Sequence, residues 1–226
     1  AGLLAKSFRT LLQIEPGFKA ESAVAMDLSL PFPREEGQEK QLGLAHQQML
    51  EQMRTLPGVV AVGAVNALPL TGGANGQFLI DNDPTKKGYG EYRVASGGYF
   101  DAMGIRLIRG RVFNDSDSPN TQHAAVITER LARQFFPNED PIGRTLQYGN
   151  MDGYKDLLHI VGIVGDVREN GLDAETTATV FVHYLQRPRR SSDFSVVVRA
   201  QAEPASVIPQ MRELMKRLQP DVPLEF

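Results

Sequence analysis

The chain predicts an α+β fold in which strand-and-helix units at both ends enclose a strand-rich insert. Three observations carry that expectation. Ser22 to Leu30 alternates, with Val24, Met26, Leu28 and Leu30 set against Ala25, Asp27 and Ser29, as a half-buried strand does. Leu42, Ala45, Met49, Met53 and Leu56 then recur at three- and four-residue steps, which is one stripe of a helix. Near the other end Phe194–Ala200 alternates again, and Val207, Ile208, Met211, Leu214, Met215 and Leu218 form a second helical stripe.

Taken in order, LLAKSFRTLLQI sets Leu4, Phe8, Leu11 and Leu12 on one helical face that ends at Pro16-Gly17. PFPREEG leads into the first long helix, about Gln38 to Thr55. Leu56-Pro57-Gly58 stops it, since Pro cannot continue a helix and Gly takes the reversed backbone at little cost. VVAVGAVNALPL follows as a strand and completes a β-α-β unit. Composition changes near residue 70. The Gly-rich stretch Thr71–Gly76 and the polar stretch Asp81–Gly90 read as loops around a short strand at Phe78–Ile80. Tyr92–Ala95 and Ala124–Ile127 are strands, and Thr128 stands where an N-cap belongs, before a helix carrying Leu131, Ala132, Phe135 and Phe136 that Pro137 ends. Leu146–Tyr148 and Leu157–Val164 pair across the Gly149–Tyr154 turn region, and Thr179–Tyr184 adds a strand. Glu203-Pro204 opens the last helix, where Pro suits the first turn, and Pro220 closes it. Residues 21–70 and 193–226 are therefore expected to form one α/β subdomain, because packing both helices on a shared sheet buries both stripes. Residues 71–192 are the inserted strand-rich subdomain.

Composition narrows the function. At 226 residues and 42% hydrophobic content the chain can bury a substantial core. A formal net charge of −3 lacks the positive field that a nucleic-acid binder needs. The one dense basic run, Arg187 to Arg190, reads as a solvated loop before a strand. There is no cysteine, so disulfides, thiol catalysis and thiolate metal sites are excluded. No apolar run approaches the roughly 20 residues that span a bilayer, and no signal-peptide pattern is present.

The searches for catalytic groups end in structural readings. His46, His123, His159 and His183 are widely spaced, without the paired spacing of a metal-binding helix. Thr71–Gly76 lacks the Lys-Ser/Thr that would hold phosphates and Mg²⁺. Gly162-Ile163-Val164-Gly165 lacks the spacing of a dinucleotide loop and reads as a hairpin turn, with Asp166 capping that turn. No nucleophile-elbow motif occurs, and Asp115/Asp117 and Glu139/Asp140 read as solvated turns. No catalytic, cofactor-binding or metal-ligating residue is assigned, and neither ATP nor a metal is expected to bind.

An ordered set of residues does carry a resemblance: Gly98-Tyr99-Phe100, Met103-Gly104, Gly110-Arg111 and Phe113; then Val126-Ile127, Leu131-Ala132, Phe136-Pro137 and Asp140-Pro141-Ile142-Gly143; finally Val161-Gly162, Val164-Gly165-Asp166-Val167, Phe181 and Tyr184. In that order the chain resembles the MacB-like periplasmic core domain of ABC transporter permeases in the MacB/FtsX class. The resemblance implies a porter-like α/β subdomain with a small inserted subdomain, lying between two transmembrane helices on the outer side of the cell membrane. Residues 1–20 would then be a membrane-proximal amphipathic segment. The implied role is non-catalytic: transmitting ATP-driven motion, or recognising substrate or a periplasmic partner, in efflux, lipoprotein release or hydrolase control. The implied partners are the protein's own transmembrane helices, a separate cytoplasmic ATP-binding domain, and a periplasmic adaptor or second permease copy. A free-standing α+β hydrolase and a ligand or peptide sensor are the alternatives. Expected partner contacts lie in the two polar stretches, at Thr71, Gly72, Gly73, Asn75, Gly76, Asp81, Asp83, Lys86 and Lys87.

Overall fold

The computed structural model describes residues 15–35, 37–149 and 151–226; residues 1–14, most of the expected amphipathic segment, lie outside them. Its strands are β1 (Ala23–Ser29), β2 (Val59–Val65), β3 (Asn75–Ile80), β4 (Asp83–Ala95), β5 (Leu107–Gly110), β6 (His123–Thr128), β7 (Thr145–Gln147), β8 (Leu158–Val164), β9 (Thr179–His183) and β10 (Asp193–Ala200). The helices are α1 (Gln38–Arg54), α2 (Tyr99–Met103), α3 (Glu129–Phe135) and α4 (Ile208–Leu218).

The strands form one sheet in the order β1-β10-β2-β4-β3-β7-β8-β6-β9, with β5 on β8. β10 runs antiparallel between β1 and β2, so the expected β-α-β unit is split by the strand from the far end of the chain. α1 packs on β2 and against α4. The sheet passes from this chain-end part to the rest through a single register pair, Val65 with Ala95. A further parallel pairing of β4 with β9, Glu91–Ala95 beside Thr179–His183, closes β4, β3, β7, β8, β6 and β9 into a ring.

Strand alternation sorts side chains into two cores, because successive residues point to opposite faces. Val94, Ala125, Ile127, Val180, Val182, Val196 and Val198 join one cluster with the apolar stripes of α1 and α4. Their neighbours Ala95, Ala124, Val126, Phe181 and Val197 join the other, with Tyr99 and Phe100 of α2. Tyr148 bridges Phe78 and Tyr92, at ring centroid distances of 5.5 and 4.9 Å. α2 approaches β2 so closely that a Cβ on Gly63 would lie 2.1 Å from the Tyr99 nitrogen. Glycine is required there for contact, since any side chain would displace backbone.

Several sequence expectations are corrected. Asp81–Gly90 is not a loop: Asp81 and Asn82, at φ 52° and 55°, make a two-residue hairpin turn, and β4 starts at Asp83. Both central residues of such a turn need positive φ, which Asp and Asn tolerate. Asn75 and Gly76 likewise belong to β3, opposite Glu91 and Gly90. Gly162–Gly165 is not a hairpin turn. Gly162 lies inside β8, where a Cβ would sit 1.9 Å from the Arg111 carbonyl oxygen, so it marks close strand approach. Thr128 occupies the N-cap position without a capping side-chain bond; its hydroxyl instead accepts from the Thr179 N–H at 3.0 Å. Asp166 caps α3 from across the fold, accepting from the Arg130 N–H at 2.6 Å. The last helix begins at Ile208 after a 3₁₀ turn, Pro204–Val207, which leaves Pro209 in its first turn.

Candidate functional site

A cleft of about 1040 Å³ lies between one flank of α1 and the segment 112–123, floored by the end of β9. α1 faces it because its other side is committed to the core through Leu42, Met49, Leu50 and Met53. That leaves Glu39, Lys40, Gly43, Leu44, Gln47 and Glu51 along the cleft.

The opposite wall is fixed by hydrogen bonds. Arg111 grips both oxygens of Asp117 at 2.7 and 2.9 Å, and Asp117 also accepts the Asn114 N–H at 2.9 Å. Burial pushes the Asp117 carboxyl up, but Arg111 and the Asn114 N–H outweigh it and hold it below the usual range. Gln186 donates to the carbonyls of Ser118 and Gln122 at 3.0 and 3.1 Å and accepts the Ala124 N–H at 2.8 Å. On the floor, His183 Nδ1 lies 2.9 Å from the Asp117 carbonyl oxygen. A carbonyl only accepts, so Nδ1 carries the hydrogen. Burial lowers the His183 pKa to about 4, so the ring is neutral at pH 7.

One end of the cleft is closed by a polar clasp. Glu39, in the first turn of α1, accepts from Arg189 Nε at 2.9 Å and from the Tyr154 hydroxyl at 2.7 Å. Arg187 lies over the Tyr154 ring, 4.8 Å from its centre, and pairs with Asp152 at 2.9 Å; Asp152 also accepts from the Tyr92 hydroxyl at 2.8 Å. The basic run is thus not a solvated loop. Arg187 is buried and Arg189 is held by Glu39, because carboxylates from distant segments converge on them. These residue roles were hidden in the sequence, where Glu39, Asp152 and Tyr154 had no visible relation to Arg187–Arg190.

The residues expected to contact partners lie elsewhere. Thr71 and Gly72 are pinned to the 168–169 backbone: Leu70 N–H donates to the Arg168 carbonyl at 3.1 Å and Gly72 N–H to that of Glu169 at 2.8 Å. Gly73 sits against Arg93, a fully buried guanidinium (0% exposed) that also pairs with Glu169 at 2.8 Å and Glu91 at 3.1 Å. Burial raises the Glu169 carboxyl's pKa, and Arg93 offsets that only in part. Asn75 accepts from the Tyr89 hydroxyl, and Gly76 packs on Met151. Asp81 pairs with Arg144, Asp83 folds onto Thr85, and Lys86 and Lys87 are exposed on the β3–β4 hairpin. The structure brings none of these into the cleft. The Thr71–Gly73 stretch is not free of core duties, because its backbone roofs the Arg93 cluster.

Among the described residues no three His, Asp or Glu side chains gather as a metal site would require, and no helix is long and apolar enough to cross a membrane. No hydroxyl is hydrogen-bonded to a histidine among them: the His46 and His183 rings bond backbone carbonyls.

This mixed helix-and-sheet architecture is shared with solved extracytoplasmic domains of ABC transporters. The periplasmic region of MacB from Actinobacillus actinomycetemcomitans superposes with a TM-score of 0.59 at 16% identity, over 96% of this chain and 93% of that one. The extracellular domain of the ABC-type transporter YknZ from Gram-positive bacteria gives 0.53 at 16% identity, over 90% and 100%. At that identity the likeness is one of fold. The chain belongs to the MacB-like periplasmic core domain family, whose model matches residues 5–218. Its curated relatives include the macrolide export ATP-binding/permease protein MacB of Aggregatibacter actinomycetemcomitans, 29% identical over 73 residues, which cover 32% of this chain and 11% of that protein. The MacB of Neisseria gonorrhoeae is 28% identical over 99 residues, 44% of this chain and 14% of that protein. The matched stretch is thus a small part of those relatives.

Proposed function

We propose that this chain is the extracytoplasmic domain of an ABC-type permease, and that it passes motion driven by a separate ATP-binding domain outward without doing chemistry itself. Family membership over residues 5–218 carries that reading. The arrangement of the molecule supports it. Asp27 in β1 bridges Glu225 beyond α4, so the early strand and the C-terminal segment share one sheet edge, as suits a domain held by flanking membrane helices. We assign the chain-end sheet with α1 and α4 (residues 21–70 and 193–226) and the ring (residues 71–192) to two mechanical bodies. The single register pair between their strands, Val65 with Ala95, favours this division; the Glu39 clasp and the shared side-chain cores couple the two bodies. Motion entering through the chain-end sheet would reach the ring across the cleft, and the ring's exposed hairpin, with Lys86 and Lys87, is the surface offered to an adaptor or a second permease copy.

Topology is tested first. The chain has no cysteine, so Val60→Cys, at a strand position 62% exposed, puts one thiol in this domain. In intact cells made permeable only at the outermost barrier, a membrane-impermeant maleimide should label it in the complete permease. Labelling only after the cytoplasmic membrane is broken would overturn the assignment.

A further inference from the structure

We propose that the cleft beside α1 is a binding site for a primary ammonium group carried on an apolar body, with His183 Nε2 accepting its hydrogen bond and the cleft carboxylates holding its charge. The volume, about 1040 Å³, is that of a ligand site. Its free charge is in acidic excess: Glu51, Asp101, Asp115 and Asp156 line it with Lys40 and Arg54, while Glu39 is already tied to Arg189. Carboxylates on low-dielectric walls concentrate cations.

His183 supplies a second, independent requirement. The residue is 4% exposed and lines the cleft, and its Nδ1–H is committed to the Asp117 carbonyl. In the neutral ring Nε2 is then a lone-pair acceptor that the Asp117 bond leaves open, and His123 Nδ1, in the same lining, is buried without a partner among the described residues. An acceptor beside carboxylates asks for a donor with positive charge, and an anion would find repulsion there. Val112, Phe113, Tyr184 and Leu185 line the same space, and Leu44 stands 51% exposed on the helix side, so the body bearing the ammonium can be apolar. Glycine at 43 deepens the helix wall, where a Cβ would already touch Leu185 and Pro188. A free alkylamine and a lysine side chain on an apolar peptide present the same chemistry.

The site is measurable on this chain alone. The ¹⁵N-labelled protein is titrated with hexylamine, with the peptide acetyl-Leu-Lys-Leu-amide, and with their uncharged counterparts hexanol and the Nε-acetylated peptide. At least one charged probe should shift His183 Nε2 and the amides of Phe113 and Asp115 saturably, and its uncharged counterpart should not. Hexylamine alone would assign a free amine as the source, and the peptide alone a peptide lysine. His183→Phe should weaken binding roughly tenfold, as losing a hydrogen bond to a charged group does. Asp115→Asn, at an exposed position that leaves the fold intact, should weaken it several-fold. No saturable shift at roughly 10 mM of either charged probe, equal binding of the uncharged probes, or unchanged affinity in Asp115→Asn would overturn the proposal.

Discussion

His46 and His183 show what burial does to single groups in this fold. Both are buried, and each has its pKa lowered to about 4, His46 first by desolvation and then partly restored by its bond to the Ser191 carbonyl. The unfolded chain binds protons at these rings near pH 6.5, while the folded chain resists until about pH 4. Between those values the unfolded state therefore holds more protons, and stability falls as pH falls. Each ring accounts for about 3 kcal/mol over that window. Urea unfolding from pH 7 to 4 should show the decline, and His46→Phe should remove the His46 share of it, leaving those of His183 and of His123, which burial also holds low. An unchanged slope in that variant would mean that His46 is protonated in the folded state. The raised Glu169 carboxyl acts with opposite sign, favouring the folded state towards acid, so the slope is to be read as a difference between variants.

At the scale of elements, local pattern and distant pairing divide what the sequence revealed. β1, α1, β10 and α4 were legible because one face of each is apolar at the period of its own geometry, and β2 because it is a continuous apolar run bounded by Gly58 and the 67–70 segment. The β3–β4 hairpin was not. Its turn is Asp81-Asn82 without glycine, and Lys86, Lys87, Glu91 and Arg93 interrupt the apolar alternation that announces a strand. Glu91 and Arg93 are buried only because Glu169 and Asn170 arrive from far along the chain to pair with them. The cleft was illegible for the same reason: its walls come from segments on either side of β9, and no spacing rule joins Glu39 to Tyr154 and Arg189. The capping of α3 shows the distinction on one bond. Local sequence nominated Thr128, but Asp166 does the capping from beyond β8. Asp166→Ala should therefore cost about 0.5–2 kcal/mol, read as a lower urea midpoint, with exchange protection lost first at Arg130. An unaltered midpoint would show that α3 needs no cap.

For the whole molecule, two side-chain cores lie on one continuous sheet and both run from the chain-end strands into the ring, while the strands themselves join at a single register pair and a polar clasp closes one end of the cleft. A relative shift of the two proposed bodies must therefore slide across this shared packing, as small shear between packed elements does. Glu39, in the first turn of α1, bonds Tyr154 and Arg189 and is the residue proposed to govern that shift. The most direct test places spin labels at Gln48→Cys on α1 and Lys87→Cys on the hairpin, both exposed, in the complete permease during ATP turnover. The distance distribution between them should shift between nucleotide-free and ATP-bound states, and Glu39→Gln should broaden it. One distribution in both states, in a permease shown to hydrolyse ATP, would contradict the transmission of motion through this domain.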